Sequence, residues 1–179
     1  MSDSRRSMKW EDAVVYALVL AGIYLLVGVL FFYAGKEKII DGHGAPAGIA
    51  KQFSGTFLAT IPGVDAAWTI LGILESLIFV LVVVSLVRLE FLPERRKTFL
   101  LCALALAIFT FSILAMGQNV TGENEGVAEL FTYAGATGIL MGLVLLMPPY
   151  RRGEWISRGR DGAAGAEAGR RPSGPATPD

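Results

Sequence analysis

Glu75 lies near the middle of residues 66–87, an apolar run that contains no Lys or Arg. An ionised side chain at the centre of a membrane helix costs about 2.5–3.5 kcal/mol for the least favourable types, so this carboxyl requires a compensating interaction. No Lys, Arg or His falls at that depth when positions are counted from the ends of the runs. Glu75 is therefore expected to face a helical interior, protonated or hydrogen-bonded. By the same count Tyr24, Thr110 and Thr137 fall at similar depth in three other apolar runs. A midplane polar layer around Glu75 is thus geometrically available. Such a layer either contacts a ligand or proton, since ionisable groups at membrane depth are functional candidates, or only joins helices through hydrogen bonds. On this basis Glu75 is the candidate catalytic residue, and Tyr24, Thr110 and Thr137 are candidate binding residues with Lys36 and Lys38.

Lys36 and Lys38 follow the first apolar run directly, with Glu37 between them. Lysines there can snorkel to lipid headgroups while their stems stay apolar. The single histidine, His43, sits between Gly42 and Gly44 and cannot supply two axial ligands to a transmembrane haem, so it reads as a surface-loop residue. The single cysteine, Cys102, excludes an intramolecular disulfide and a thiolate-held iron-sulfur cluster, and reads as a small buried apolar residue. Glu123, Glu125 and Glu129 make an acidic connection whose ordinary meaning is solvation. Asn119-Val120-Thr121 matches a glycosylation sequon, which has meaning only in a eukaryotic secretory pathway. No phosphate-binding glycine loop, metal-ligand spacing or triad-like set is present, so no metal site is expected and no nucleic-acid partner is implied.

The elements that must position these residues are membrane helices. With 53% hydrophobic and 18% charged residues in 179 positions, the chain is too apolar for an ordinary soluble domain. Four runs, 13–34, 66–87, 98–117 and 127–147, lack Lys and Arg and approach or exceed the length needed to cross about 30 Å of hydrocarbon. The first follows Arg5, Arg6 and Lys9 as a signal peptide would, but its apolar stretch is longer than an h-region and no A-x-A site ends it, so it reads as a retained helix. The predicted fold is all-α: a four-transmembrane-helix bundle spanning 13–150, flanked by an N-terminal segment, 1–12, and a tail, 151–179.

Orientation follows from the basic residues. The N-terminal segment, the second connection (Arg88, Arg95, Arg96, Lys97) and the tail (Arg151, Arg152, Arg158, Arg160, Arg170, Arg171) share one side, while the first connection is sparsely basic for its length and the third has no Lys or Arg. The positive-inside rule places both termini in the cytoplasm of a multi-pass plasma (inner) membrane protein. The tail is rich in Gly, Ala, Arg and Pro, too poor in apolar residues to fold alone, and is expected to be disordered, with its first basic residues near anionic headgroups.

Two further segments carry pattern. In the first connection Ile49, Phe53 and Phe57 recur every fourth residue until Pro62-Gly63, which predicts a short amphipathic helix on the outer leaflet or over the bundle end. In the fourth run Gly135, Gly138 and Gly142 form a small-residue strip that allows close helix approach, expected within the chain rather than between copies, although a homo-oligomer is an alternative.

Residues 28–39, Gly-Val-Leu-Phe-Phe-Tyr-Ala-Gly-Lys-Glu-Lys-Ile, together with Gly72-Ile73-Leu74-Glu75, resemble the DoxX/DoxD-like membrane family, whose first helix ends in a glycine and lysine and whose second carries glycine-x-x-glutamate. The resemblance runs over about residues 24–147 and weakens after the fourth run, which lacks a glycine-rich ending. It implies a four-helix membrane protein, some of whose relatives are membrane subunits of quinone-linked oxidoreductases. Glu75 would then accept a proton or hydrogen-bond a quinone, with no covalently bound cofactor and with a soluble or membrane redox partner. Two other functions fit the residues: a non-enzymatic membrane scaffold, and a small-solute permease, which is disfavoured because four helices rarely enclose a wide path.

Overall fold

The computed structural model describes residues 10–42, 44–61 and 63–149. The expectations for His43 and for the tail lie outside the described residues. Helix α1 (Trp10–Lys36) runs directly into a π turn (Glu37–Asp41); α2 (Ala47–Phe53) and a 3₁₀ turn (Phe57–Ala59) fill the first connection; α3 (Val64–Val87), α4 (Thr98–Thr121) and α5 (Asn124–Leu146) complete the chain. Among the described residues there is no strand.

Four helices are long and apolar enough to cross a membrane: α1 with its π turn, α3, α4 and α5. An α-helix satisfies its backbone polar groups internally, the condition for crossing hydrocarbon. These helices are apolar on their outer faces as well as their inner ones. Leu18, Leu25, Ile73, Val80, Phe109 and Ile139 all point away from the chain. That all-round apolarity suits a lipid solvent and not water.

Inward positions recur at three and four residues. On α1 they are Leu20, Ile23, Tyr24, Val27, Gly28 and Phe31, and on α4 Leu100, Ala103, Leu104, Ala107, Thr110 and Phe111. With Ile78 and Val82 of α3 they make the core, to which α5 adds Val144. Packing runs from α1 to α3, from α3 to α4 and from α4 to α5.

Helix α5 is peripheral, with 11% of its spanning window buried against 28–33% for the others. A Cβ added at Gly135, Gly138 or Gly142 would meet nothing within 4 Å. The small-residue strip therefore does not serve packing within the chain, contrary to its sequence-based reading, because α5 turns it away from α4. Cys102 is likewise exposed and not buried, since α4 directs residues 100, 103, 104 and 107 inward and 102 outward.

Helix ends differ from the apolar runs in physically legible ways. α4 continues past residue 117 to Thr121, where Gly122 takes a left-handed conformation (φ 78°) and ends it. The sequon is thereby absorbed into the last turn of α4. In the first connection the four-residue apolar pattern does not form one helix. Ser54 Oγ donates to the Lys51 carbonyl and Thr56 Oγ1 to the Phe53 carbonyl, so α2 stops at Phe53. Ile49, Phe53 and Phe57 nonetheless line one cleft of about 300 Å³ with Trp68 and Leu71 of α3 and Leu114 of α4. Gln52 fastens α2 by donating to Gln118 Oε1 at 2.9 Å and Thr121 Oγ1 at 3.1 Å.

Candidate functional site

Helices α1 and α3 are antiparallel, and their facing pairs step in opposite directions along the two chains. Tyr24 meets Ser85, Gly28 meets Val82, Gly35 meets Ser76, and Lys38 meets Gly72. Two of these crossings require glycine. A Cβ at Gly35 would lie 2.6 Å from Ser76 Oγ and 3.0 Å from its backbone nitrogen, and one at Gly72 would lie 2.8 Å from Lys38 Cβ. The close approach carries Lys38 inward onto Glu75.

The Lys38 ammonium donates to Glu75 Oε1 at 3.1 Å and stands 2.9 Å from Oε2. Side-chain exposures are 10% and 4%. Oε2 is the nearer oxygen and is held by the ammonium as an ion pair; no second donor among the described residues reaches it. Lys38 also lies 4.7 Å over the Trp68 ring. Trp68 is thus shared between the ion pair and the cleft beneath α2.

This arrangement corrects two sequence-based expectations. A cation does reach Glu75, and Lys38 does not snorkel away from the bundle, because the first helix ends at Asp41 and not near residue 34. The π turn places Lys38 beside α3. Lys36, by contrast, forms an exposed pair with Asp41 at 2.6 Å and takes no part in the buried site.

The expected midplane layer is not among the described contacts. Thr110 Oγ1 donates to the Leu106 carbonyl and Thr137 Oγ1 to the Tyr133 carbonyl, each four residues back on its own helix. The Tyr24 hydroxyl lies 2.6 Å from Ser85 Oγ, near the opposite end of the bundle from Glu75. Of the residues singled out from sequence, only Glu75 and Lys38 meet.

Tyr24 belongs to a second cluster that sequence reasoning missed. Ser85 Oγ donates to Glu90 Oε2 at 2.8 Å, and Glu90 accepts the backbone N–H groups of Phe99 at 3.0 Å and Leu100 at 3.2 Å. Glu90 thereby caps the start of α4, where Lys97 offers no side-chain cap. Leu89 makes this geometry with a left-handed φ of 55°. It lets Leu89 N–H donate to the Leu86 carbonyl and Glu90 N–H to the Ser85 carbonyl, the double closure of a helix C-terminus.

Lys97, fully buried, donates to the Pro148 carbonyl at 2.6 Å and lies 5.4 Å over the Tyr16 ring. Burial holds its ammonium below the ordinary lysine range, and the Glu90 charge opposes that shift. The signal available in sequence was the α4 start itself: an apolar helix whose first N–H groups need an acceptor, preceded by Glu90 and Glu94.

Among the described residues no three His, Cys, Asp or Glu side chains come together as a metal site. No protein-family model matches this chain, and neither a curated protein nor a solved structure does so.

Proposed function

We propose that the chain is a DoxX-like membrane subunit of a quinone-linked oxidoreductase complex, with both termini cytoplasmic in the plasma (inner) membrane. The observation that carries the reading is the buried Lys38–Glu75 pair, in which one ammonium serves both carboxylate oxygens and no second donor among the described residues reaches Oε2. A membrane helix that keeps a carboxyl held by a single side chain is a candidate contact for a proton or a polar ligand. The residues suit a quinone: Lys38 offers a donor, Glu75 an acceptor, and Trp68 an aromatic surface continuous with an apolar cleft. When bound, a quinone would carry electrons and protons through the bilayer to a soluble or membrane partner. The chain's own part is to hold the ring and keep water from it.

Purification of wild type and Glu75→Gln from native membranes, followed by mass spectrometry of extracted quinone against total phospholipid, tests this. Enrichment in the wild type that is lost in a normally folded variant is expected. Equal quinone in both, at the level of bulk lipid, would overturn the reading.

A scaffold function is the second reading, favoured by the glycine contacts that let the same ion pair clamp α1 to α3. It predicts that Glu75→Gln preserves function and that crosslinking recovers a protein partner.

A further inference from the structure

At the end of the bundle opposite α2, a groove of about 680 Å³ opens between α1 and the α3–α4 connection, lined by Tyr16, Leu20, Tyr24, Leu86, Phe91 and Pro93. It is almost wholly apolar apart from its two phenols, and the α1 residues that line it lie within a membrane-spanning segment, so its occupant comes from the lipid phase.

The hydrogen bonds fix what the phenols can offer. Tyr16 donates its hydroxyl hydrogen to the Phe91 carbonyl at 2.9 Å. Ser85 has one hydroxyl hydrogen and gives it to Glu90 Oε2, which also accepts from the backbone of Phe99 and Leu100. The hydrogen in the 2.6 Å contact between Tyr24 and Ser85 must therefore come from Tyr24. The chain runs one way, from Tyr24 through Ser85 to Glu90. Both phenols have spent their donors and retain only acceptor lone pairs. Donation along a chain that ends on a carboxylate also polarises the Tyr24 oxygen into a stronger acceptor.

We infer that this groove binds a membrane-soluble phenol, a molecule with an apolar body and one acidic O–H that donates to Tyr24. A lipophile whose only polar group is a carbonyl or an ether finds no donor on either tyrosine. The site is separate from Glu75 and differs from it in kind: Lys38 and Glu75 there supply a donor and an acceptor, and the tyrosines here supply acceptors only.

The test uses the full chain in nanodiscs with two photoreactive probes, an alkylphenol carrying a diazirine on its chain and its methyl ether, in which a methyl group replaces the hydroxyl hydrogen. The expected result is saturable phenol labelling of residues 13–25 and 86–93, with the ether labelling them about tenfold less, the loss expected when one hydrogen bond is removed. Tyr24→Phe should lower phenol labelling to the ether's level, and Ala17→Trp, which fills the groove from an exposed α1 position, should abolish both. Equal labelling by phenol and ether, labelling spread evenly over all lipid-facing helices, or labelling unchanged by Ala17→Trp would overturn the inference. The two-probe comparison uses the wild type, so it decides the matter even where Tyr24→Phe fails to fold.

Discussion

Glu75 and Glu90 are almost equally sealed, at 3% and 4% exposure, and each has a lysine in its surroundings, yet they are satisfied by different means. Glu90 accepts two backbone N–H groups and a serine hydroxyl, so its charge is spread over a helix start that needed an acceptor. Glu75 depends on one flexible ammonium for both of its oxygens. A carboxylate held by backbone is part of the fold, since its partners cannot leave without unwinding α4. One held by a single side chain, between two glycine crossings, has a partner that can move without unwinding a helix, which is what the proposed function requires of it. The two acids differ in who supplies their hydrogen bonds, not in depth of burial.

The sharpest way to break this comparison is to remove the ammonium. Lys38→Met leaves Glu75 buried without its counter-ion, and loss of one member of a buried pair costs about 3–5 kcal/mol. Unfolding by denaturing detergent, followed by circular dichroism, should show that loss, and the Lys38→Met/Glu75→Leu double variant should recover most of it, since a well-packed apolar pair is close to neutral. A Lys38→Met variant as stable as wild type would mean that Glu75 finds other partners and that the two acids are alike.

Next in size is Glu90→Ala. It strips the cap from α4 and leaves the Ser85 hydroxyl and two N–H groups without their acceptor, for an expected loss of about 2 kcal/mol in the same unfolding measurement. Its signature is local: hydrogen exchange should rise at the first turn of α4 and stay unchanged at residues 35–41. A uniform rise over both ends would show that the clusters are coupled rather than independent.

The membrane helices were legible in the sequence because lipid imposes one rule, a long apolar run, but their inward faces were not, because helices apolar on every side leave no periodic contrast to read. Glu75 was legible for the complementary reason, as a violation of that rule. Lys38 was misplaced because a charged triplet, Lys36-Glu37-Lys38, looks like the end of a helix. The apolar Ile39-Ile40 beyond it was the sign that the helix continued. Depth counted from the ends of apolar runs also fixes neither the register between helices nor the partner a hydroxyl takes. Thr110 and Thr137 face inward but hydrogen-bond to their own backbones, and Tyr24 pairs with Ser85, away from Glu75 along α3. Glu90 could not be read from periodicity, because its position depends on a single left-handed residue outside any helix.

That residue, Leu89, gives the smallest and most local prediction. Its φ of 55° lies where a non-glycine Cβ crowds the following carbonyl, at a cost of about 1–2 kcal/mol. Its side chain is 45% exposed, so little packing would be lost with it. Leu89→Gly relieves the strain but frees the unfolded chain, which offsets part of the gain. A net stabilisation of about 0.5–1 kcal/mol is expected, read as a higher unfolding midpoint, with hydrogen exchange at Glu90 and Phe99 unchanged or slower. Destabilisation instead would mean that the Leu89 side chain, and not the backbone turn, holds Glu90 against α4, and Glu90 would then depend on side-chain packing much as Glu75 depends on Lys38.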